Sequence, residues 1–152
     1  SFIGICLGHQ IISRALGGKV GRNTQGWELG TYNVDVSEDA QVRELFGGAD
    51  KFQLLDVHQD VVTEPPLEDG VSVLGSTKAT KYQGFYKKGR LLTFQGHPEF
   101  TNQIVEAIGE ELYNTKHIPK DVLDASAHSL NKEHEQLDLN LGKVIVDFIE
   151  SP

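Results

Sequence analysis

The 152-residue sequence predicts an α/β fold with three layers: a mostly parallel sheet, helices on both of its faces and one β-hairpin excursion. Three observations support this prediction. Short apolar segments alternate with helix-like segments along most of the chain. Glycine pairs at 17–18 and 47–48 follow two of the helical segments, where glycine is a common terminator. Two strand-like segments flank Lys87-Lys88-Gly89-Arg90, which favours a hairpin.

The first half of the chain predicts three strands and two helices. The strands are expected at 2–5, 29–36 and 52–62, and the helices at 9–16 and 38–46. Val34 and Val36 share one side of the second strand, as alternation requires. The inner face of the first helix is expected to contain Ile11, Ile12, Ala15 and Leu16. The segment 22–26 is rich in turn-forming residues and predicts a loop.

The second half predicts three short strands followed by three helices. The strands are expected at 71–75, 82–86 and 91–94, after a hard turn that contains Pro65-Pro66 and Glu68-Asp69-Gly70. Thr101 is a candidate N-cap, and the inward stripe of its helix is expected to be Ile104, Val105, Ile108 and Leu112. A second helix is expected after Pro119. A third is expected from about Leu137, with Leu141, Val144, Ile145, Phe148 and Ile149 at helical spacing.

Composition and charge exclude several classes of protein. Apolar residues make up 38% and charged residues 24%, which disfavours a membrane, disordered or fibrous chain. The formal net charge of −8 disfavours nucleic acid and anionic membranes as partners. The single cysteine fits a reducing compartment, so we expect a cytoplasmic protein. Because the sequence contains no methionine, we expect an N-terminal segment to be missing.

The strongest local signal is Gly4-Ile5-Cys6-Leu7-Gly8, followed by His9-Gln10. The spacing matches a nucleophile elbow between a strand and a helix, with cysteine as the nucleophile. So tight a turn is expected to require glycine on both sides of Cys6. The helix dipole is expected to favour the thiolate, and the Leu7 N–H to face the oxyanion of an attacked carbonyl. The alternative is that Cys6 is a small apolar residue in a strand-to-helix turn.

The second signal is Gln95-Gly96-His97-Pro98-Glu99-Phe100, directly after a predicted strand. Pro98 biases His97 towards an extended backbone, in which residues i and i+2 project to the same side. Glu99 is therefore placed to hold the His97 imidazole, as a base and its orienting group require. The alternative is a surface His-Pro turn with a solvated glutamate.

Together these motifs resemble a class I, triad-type glutamine amidotransferase domain, whose fold is flavodoxin-like. Two further segments resemble the branch that includes GMP synthetase glutaminase domains, fungal amidotransferase-like proteins and plant γ-glutamyl peptidases. Trp27-Glu28-Leu29-Gly30 resembles its Glu-aromatic-Gly segment, with Leu29 at the aromatic position. The segment 58–62 resembles its His-Gly-Asp-x-Val segment, with Gln59 in place of glycine.

The resemblance implies hydrolysis of the glutamine side-chain amide through a γ-glutamyl thioester on Cys6. His97 would move the proton, Glu99 would orient His97, and the Leu7 N–H would be an oxyanion donor. The residues implied to bind substrate are Gln10, His58, Gln59 and Asp60. Ammonia would be released or passed to a synthase partner. We expect no metal, because His117, His128 and His134 lack ligand spacing. We expect no cofactor, because no glycine pattern supports a P-loop or a dinucleotide site. His9 is expected to pack rather than react, and Trp27 fits either pocket wall or core.

One departure from the family is the absence of its long segment before the cysteine. The chain, 1–152, is therefore expected to be a single domain that corresponds to the C-terminal two-thirds of the family domain. Its strand at 2–5 would be an exposed edge, and the missing second oxyanion donor would cost about 3 kcal/mol of transition-state stabilisation.

Two other functions stay open. One is a γ-glutamyl peptidase that uses the same triad on glutathione-like peptides. The other is a non-catalytic α/β module. A dienelactone-type hydrolase shares the elbow but is disfavoured by the His-Pro-Glu segment.

Overall fold

The computed structural model describes residues 1–130 and 139–151 and confirms the predicted α/β class. Its helices and strands are β1 Phe2–Ile5, α1 Leu7–Ala15, β2 Lys19–Arg22, β3 Glu28–Val36, α2 Ala40–Leu45, β4 Lys51–His58, β5 Asp60–Glu64, β6 Ser72–Val73, β7 Gly75–Ser76, β8 Phe85–Lys87, β9 Leu91–Phe94, α3 Asn102–Asn114, α4 Lys120–Leu130 and α5 Leu139–Glu150.

The described residues form three sheets, in the orders β1-β9-β8-β6, β4-β3-β7 and β2-β5. Within the described residues only the β1–β9 ladder is parallel, with Ile5 opposite Phe94. The other ladders are antiparallel, so the prediction that most strands pair in parallel is wrong. The reason lies in the connections. Parallel neighbours need a crossover of about a dozen residues or more, whereas only residues 88–90 separate the paired strands β8 and β9.

Both faces of the four-stranded sheet are covered, as predicted. On one face, Leu92 and Phe94 of β9 pack with residues of α5 and of strands β3 and β4. On the other face, Phe85 stacks on His9 of α1, with ring centroids 5.4 Å apart. Helices therefore lie on both faces of the four-stranded sheet. The antiparallel β4-β3-β7 sheet packs on the same face as α5. The predicted hairpin is confirmed as the antiparallel pair β8–β9.

The two helices α3 and α4 cover the outer face of β3 and β4. Val105, Ile118 and Leu130 form a cluster there with Leu29. Thr101 is confirmed as the N-cap of α3, because its side chain accepts a hydrogen bond from the backbone N–H of Ile104. The side chain of Ile104, however, is 41% exposed, so it does not belong to the inward stripe.

Helix α5 buries Leu141, Val144 and Phe148, as the spacing predicts, but Ile149 is exposed. Leu137 and His134 lie outside the described residues.

Several strand boundaries differ from the predicted ones because strand pairing, rather than local pattern, sets them. The segment 52–62 divides into β4 and β5, which belong to different sheets. The segment 71–75 divides at Leu74, whose backbone N–H donates to the carbonyl of Gly84. The sequence does not predict β2, because 19–22 lacks apolar alternation. This segment adopts a strand conformation because it pairs with β5.

Strand β1 is an edge strand, as predicted: among the described strands it pairs with β9 alone. Phe2 on this edge is 58% exposed. None of the described helices is both long and apolar enough to cross a bilayer.

Candidate active site

Cys6 occupies a strained turn between β1 and α1. Its φ of 52° and ψ of −107° lie in a region that favours glycine, and such conformations are found at nucleophile elbows. The backbone N–H of Cys6 donates to the carbonyl of Phe94 at 2.8 Å, which joins the turn to the end of β9. The strand-turn-helix context predicted for the elbow is therefore present.

The two glycines of the elbow are not equivalent. A Cβ on Gly4 would lie 2.7 Å from Cδ1 of Ile12 and 2.8 Å from the backbone of Gly8. A Cβ on Gly8 would have no atom within 4 Å outside its own helix. The close approach of β1 to α1 therefore requires glycine only at position 4, and the expectation for Gly8 is wrong on steric grounds.

The surroundings of Cys6 favour the neutral thiol. Burial raises the pKa of Cys6, the hydrogen bond from the Leu7 backbone N–H lowers it, and the carboxylates of Asp56 and Glu99 raise it further. The net effect is a raised pKa, contrary to the expectation of a thiolate favoured by the helix dipole. A nucleophile in this setting needs a neighbouring base.

His97 and Glu99 form the predicted pair, with Nδ1 of His97 2.6 Å from Oε1 of Glu99. The His97 ring also stacks on Phe100, with centroids 3.8 Å apart and ring planes 2° apart. Its backbone N–H donates to the carbonyl of Leu55 at 2.8 Å, which anchors the segment to β4. These contacts fix the imidazole plane and leave Nε2 as the nitrogen not used by Glu99.

The parallel β1–β9 ladder brings the two motifs together. Since Ile5 lies opposite Phe94, the next residues, Cys6 and Gln95, leave the sheet side by side. Nε2 of Gln95 lies 4.0 Å from Sγ of Cys6. His97 follows two residues later, and the Glu99 charge is near enough to act on the thiol.

Cys6 opens onto a cleft of about 480 Å³. It is lined by residues from five segments of the chain: Cys6, Gln10, Arg22, Trp27, Val57, His58, Gln59, Asp60, Ile108, Leu112 and His117. Four predicted substrate-binding residues, Gln10, His58, Gln59 and Asp60, are thus beside the thiol. Trp27 belongs both to the cleft wall and to the apolar cluster under α3 and α4.

Arg22 is a cleft residue that sequence reasoning missed. Its guanidinium donates to Oδ1 of Asp60 at 2.9 Å and to Oε1 of Gln59 at 2.8 Å. These bonds hold both side chains against β2. No local motif marks Arg22, because its partners lie nearly forty residues away and meet it only through the β2–β5 ladder.

The His58 imidazole points away from the cleft, into a buried cluster with Glu28 and Asp56. Nε2 of His58 lies 3.0 Å from Oε1 of Glu28 and 3.7 Å from Oδ1 of Asp56, while Nδ1 lies 3.1 Å from the carbonyl of Asp60. Both ring nitrogens therefore face acceptors, which favours the imidazolium. Burial lowers the pKa of His58, but the bond to Glu28 and the nearby negative charges raise it above its ordinary value.

Glu28, Asp56 and His58 are also the described residues whose donor atoms, all within 4.8 Å of one another, are spaced for a metal ion. The present bonds favour a hydrogen-bonded ion network instead. Glu28 already accepts hydrogen bonds from Thr77, Thr80 and Gln83. His58 would have to lose a proton and turn away from two acceptors to bind a metal.

Asp56 is fully buried, and neither of its carboxylate oxygens has a hydrogen-bond donor among the described residues. Oε1 of the buried Gln83 is likewise without a donor there. Burial raises the pKa of Asp56 to about 7, although the His58 charge opposes this. A proton on Asp56 would supply a donor between these acceptors. Sequence reasoning missed Asp56. In β4 it lies two residues from buried Leu54 and two from buried His58, so its side chain is on the same side of the strand and faces inward.

His9 has the packing role that the sequence predicts. It is fully buried, and its Nδ1 lies 2.8 Å from Oγ1 of Thr93. Burial lowers the pKa of His9 to about 3, with the His58 charge acting in the same direction. A neutral imidazole under the elbow is a structural group rather than a proton carrier at neutral pH.

Comparison with known proteins agrees with this geometry. A glutamine amidotransferase-like protein of Schizosaccharomyces pombe is 37% identical over 114 residues, which are 75% of this chain and 44% of that protein. Gamma-glutamyl peptidase 2 of Arabidopsis thaliana is 33% identical over 131 residues, 86% of this chain and 52% of that protein. GMP synthases are also among the relatives. The chain spans about half the length of the curated relatives that it matches.

The fold comparison extends over nearly the whole chain. A solved glutamine amidotransferase from Thermotoga maritima superposes with a TM-score of 0.70 at 26% identity, covering 99% of this chain and 63% of that one. The profile of the family described as glutamine amidotransferase class-I matches residues 1–119, which include the elbow and the His97–Glu99 pair. The resemblance seen in the motifs is thereby confirmed, and the chain belongs to the class I glutamine amidotransferase family.

Proposed function

We propose that the chain hydrolyses the side-chain amide of glutamine to glutamate and ammonia through a covalent γ-glutamyl thioester. The observation that carries the proposal is the convergence of the Cys6 elbow with the His97–Glu99 pair at the ends of two parallel, adjacent strands. A nucleophile, a base and an orienting carboxylate are the parts that acyl transfer requires.

In the proposed reaction, Sγ of Cys6 attacks the amide carbonyl carbon while Nε2 of His97 accepts the thiol proton. His97 then gives that proton to the departing nitrogen, the C–N bond breaks, and ammonia leaves. Water attacks the thioester with His97 as base, which releases glutamate and restores the thiol. Glu99 stabilises the transient imidazolium. The Leu7 N–H, already hydrogen-bonded to the thiol, is the proposed oxyanion donor.

Substrate binding is assigned to the residues that line the cleft together with the thiol. Among the described residues, the hydrogen bonds of the Gln10 amide use only its nitrogen, so its oxygen is the atom proposed to accept from the substrate ammonium. Gln59 and Asp60 are held by Arg22 and are proposed to shape the same end of the cleft. His58 contributes through its backbone, because its imidazole is turned inward.

A γ-glutamyl peptidase activity on glutathione-like peptides is the second candidate, and the cleft favours it specifically. Trp27, Ile108 and Leu112 give the cleft an apolar wall that a leaving ammonia molecule would not use. The side chain of a γ-glutamyl dipeptide would bury apolar surface there. The similarity to gamma-glutamyl peptidases over 86% of this chain supports the same reading.

The proposed setting is a single amidotransferase-like domain over 1–152. Transfer of ammonia to a synthase partner is proposed from the GMP synthases among its relatives. The one cysteine of the chain must stay reduced to act as the nucleophile, which supports the expectation of a cytoplasmic protein.

The test is to measure ammonia release from glutamine and amine release from γ-glutamyl dipeptides, each with the chain and with Cys6→Ala. Turnover that Cys6→Ala abolishes supports the thioester mechanism, and the preferred substrate decides between the two candidates. A glutamine-like diazo-ketone gives an independent measurement, since labelling can occur on one cysteine only. Absence of both turnover and labelling would favour a non-catalytic module.

A further inference from the structure

Gln95 is a buried amide between the two catalytic motifs. It follows β9 directly, its side chain is fully buried, and its Nε2 lies 4.0 Å from Sγ of Cys6. The predicted mechanism does not use it. The distance is at the long end for a hydrogen bond to sulfur, and catalytic hydrogen bonds commonly tighten once the charged state forms.

The orientation of the Gln95 amide is set by Gln10. Nε2 of Gln10 can only donate, and it lies 3.3 Å from Oε1 of Gln95. The oxygen of Gln95 is therefore directed at Gln10, and its NH₂ group is directed at the thiol. The opposite orientation would place two NH₂ groups against each other and an oxygen against the sulfur.

Gln10 is itself held by a chain of polar contacts that leads back into the core. Its Nε2 donates to the carbonyl of Asp60 at 3.0 Å. The same carbonyl lies 3.1 Å from Nδ1 of His58, whose Nε2 is paired with Glu28. The buried Glu28–His58 pair thus holds the Asp60 carbonyl in place. That carbonyl positions the Gln10 amide, and the Gln10 amide positions the Gln95 amide.

We propose that Gln95 is a positioning residue, which donates a hydrogen bond to Cys6 Sγ and so stabilises the thiolate form of the nucleophile. The inference rests on the proposed function, since a thiolate matters only if Cys6 reacts. The proposed bond also gives the thiol a second donor. Burial and two nearby carboxylates oppose ionisation of Cys6, and the Leu7 N–H is the other donor that favours it.

The titration of Cys6 is open to direct measurement, because the chain has a single cysteine. The rate of alkylation by iodoacetamide, followed against pH, reports only this thiol. The charged or titratable groups that face it or line its cleft are Arg22, Asp56, His58, Asp60, His97, Glu99 and His117. They are unchanged in the variants below, so a shift reports the altered amide.

For Gln95→Leu we expect the midpoint of the alkylation profile to rise by about one pH unit, the size of one charge-assisted hydrogen bond. The matched control is Gln103→Leu, which removes an exposed amide on α3 and should leave the midpoint unchanged. Gln95→Met has nearly the same length, removes the donor without adding a charge, and should raise the midpoint as far.

A Gln95→Leu protein that unfolds like the parent in urea, with an unchanged alkylation midpoint, would overturn the proposal. If Gln95→Leu does not fold, the nearly isosteric and uncharged Gln95→Met decides: an unchanged midpoint overturns the proposal, and a raised one supports it.

These outcomes separate the proposal from the proposed function. A shifted midpoint without turnover of any γ-glutamyl substrate contradicts the function alone. Turnover with an unshifted midpoint contradicts the role of Gln95 alone.

Discussion

Nδ1 of His97 and Oε1 of Glu99 lie 2.6 Å apart although the two residues are separated by only Pro98. The pair is nearly local in sequence, yet its segment reaches the same sheet edge as Cys6 only because β1 and β9 are parallel neighbours. The imidazole is further held by stacking on Phe100 and by a backbone bond to β4. The carboxylate is thus set to hold one tautomer and to stabilise an imidazolium.

Glu99→Gln should lower kcat for the preferred γ-glutamyl substrate by about a hundredfold or more, because an amide cannot stabilise the imidazolium. The Glu99 side chain is half-exposed, so we expect the urea midpoint to stay that of the parent. Glu106→Gln, an exposed change on α3, is the matched control and should leave kcat unchanged. A Glu99→Gln protein with parental kcat would contradict the assigned role.

Gly4→Ala should destabilise the fold by about 1–3 kcal/mol, since the new methyl group would press against Ile12 and the backbone of Gly8. Gly8→Ala should be neutral or stabilise by up to about 1 kcal/mol, because its methyl group meets no other segment and alanine suits a helix. Urea unfolding of both variants measures the difference. Equal losses would show that β1 and α1 are not in such close contact.

Titration of Asp56 should contribute a loss of stability as the pH rises from about 4 to about 7. Burial raises the pKa of Asp56 from 3.8 to about 7, so the folded state binds this proton more tightly than the unfolded chain does. The stabilisation is present below the unfolded pKa and is lost as the pH passes the folded one. One such proton contributes a slope of about 1.4 kcal/mol per pH unit.

Asp56→Asn should flatten this decline, because an amide does not titrate and its NH₂ group would supply a donor for Oε1 of Gln83, as a protonated carboxyl would. Asp56→Leu should also flatten it but be less stable, since Gln83 Oε1 stays without a donor. A residual decline above pH 6.5 is expected in both variants, because the raised pKa of His58 acts in the same direction. Parental slopes in Asp56→Asn, measured by urea unfolding against pH, would rule out titration of Asp56.

Arg22→Met should raise KM for γ-glutamyl substrates several-fold with little loss of stability. The Arg22–Asp60 pair is largely exposed, and such pairs contribute about 0.2–1 kcal/mol. Loss of the Arg22 guanidinium releases the side chains of Asp60 and Gln59, which line the cleft. Lys19→Met removes the neighbouring Lys19–Glu64 pair of the same ladder, away from the cleft, and should leave KM unchanged. Equal effects on KM would mean that Arg22 acts on the sheet rather than on the cleft.

The sequence predicted the features that depend on near neighbours in the chain. The turn that holds Cys6, the side shared by His97 and Glu99, the cap at Thr101 and the bounds of β9 all follow from residue spacing or backbone preference. Family resemblance added the segments around Glu28 and His58 as candidate site segments. It did not indicate that these two side chains would be paired in the core.

The errors arose where distant segments decide the outcome. The division of 52–62 into two strands reflects pairing with β3 on one side and β2 on the other. The exposed Ile104 fits the helical stripe by spacing, but it lies beyond the edge of the surface that α3 covers. The raised pKa of Cys6 reflects burial and the carboxylates of Asp56 and Glu99, the first of which is fifty residues away.

The α/β class and the family therefore follow from the sequence alone, which also marks Cys6 and His97 as the candidate nucleophile and base. These depend on side-chain chemistry and on spacings of a few residues, which the covalent chain sets directly. Only the tertiary structure decided that Gln95 faces the thiol, that Arg22 holds Asp60, and that Glu28, Asp56 and His58 share one buried site. Those contacts join residues far apart in the chain, and they exist only once strand register and burial have brought polar groups together where water cannot satisfy them.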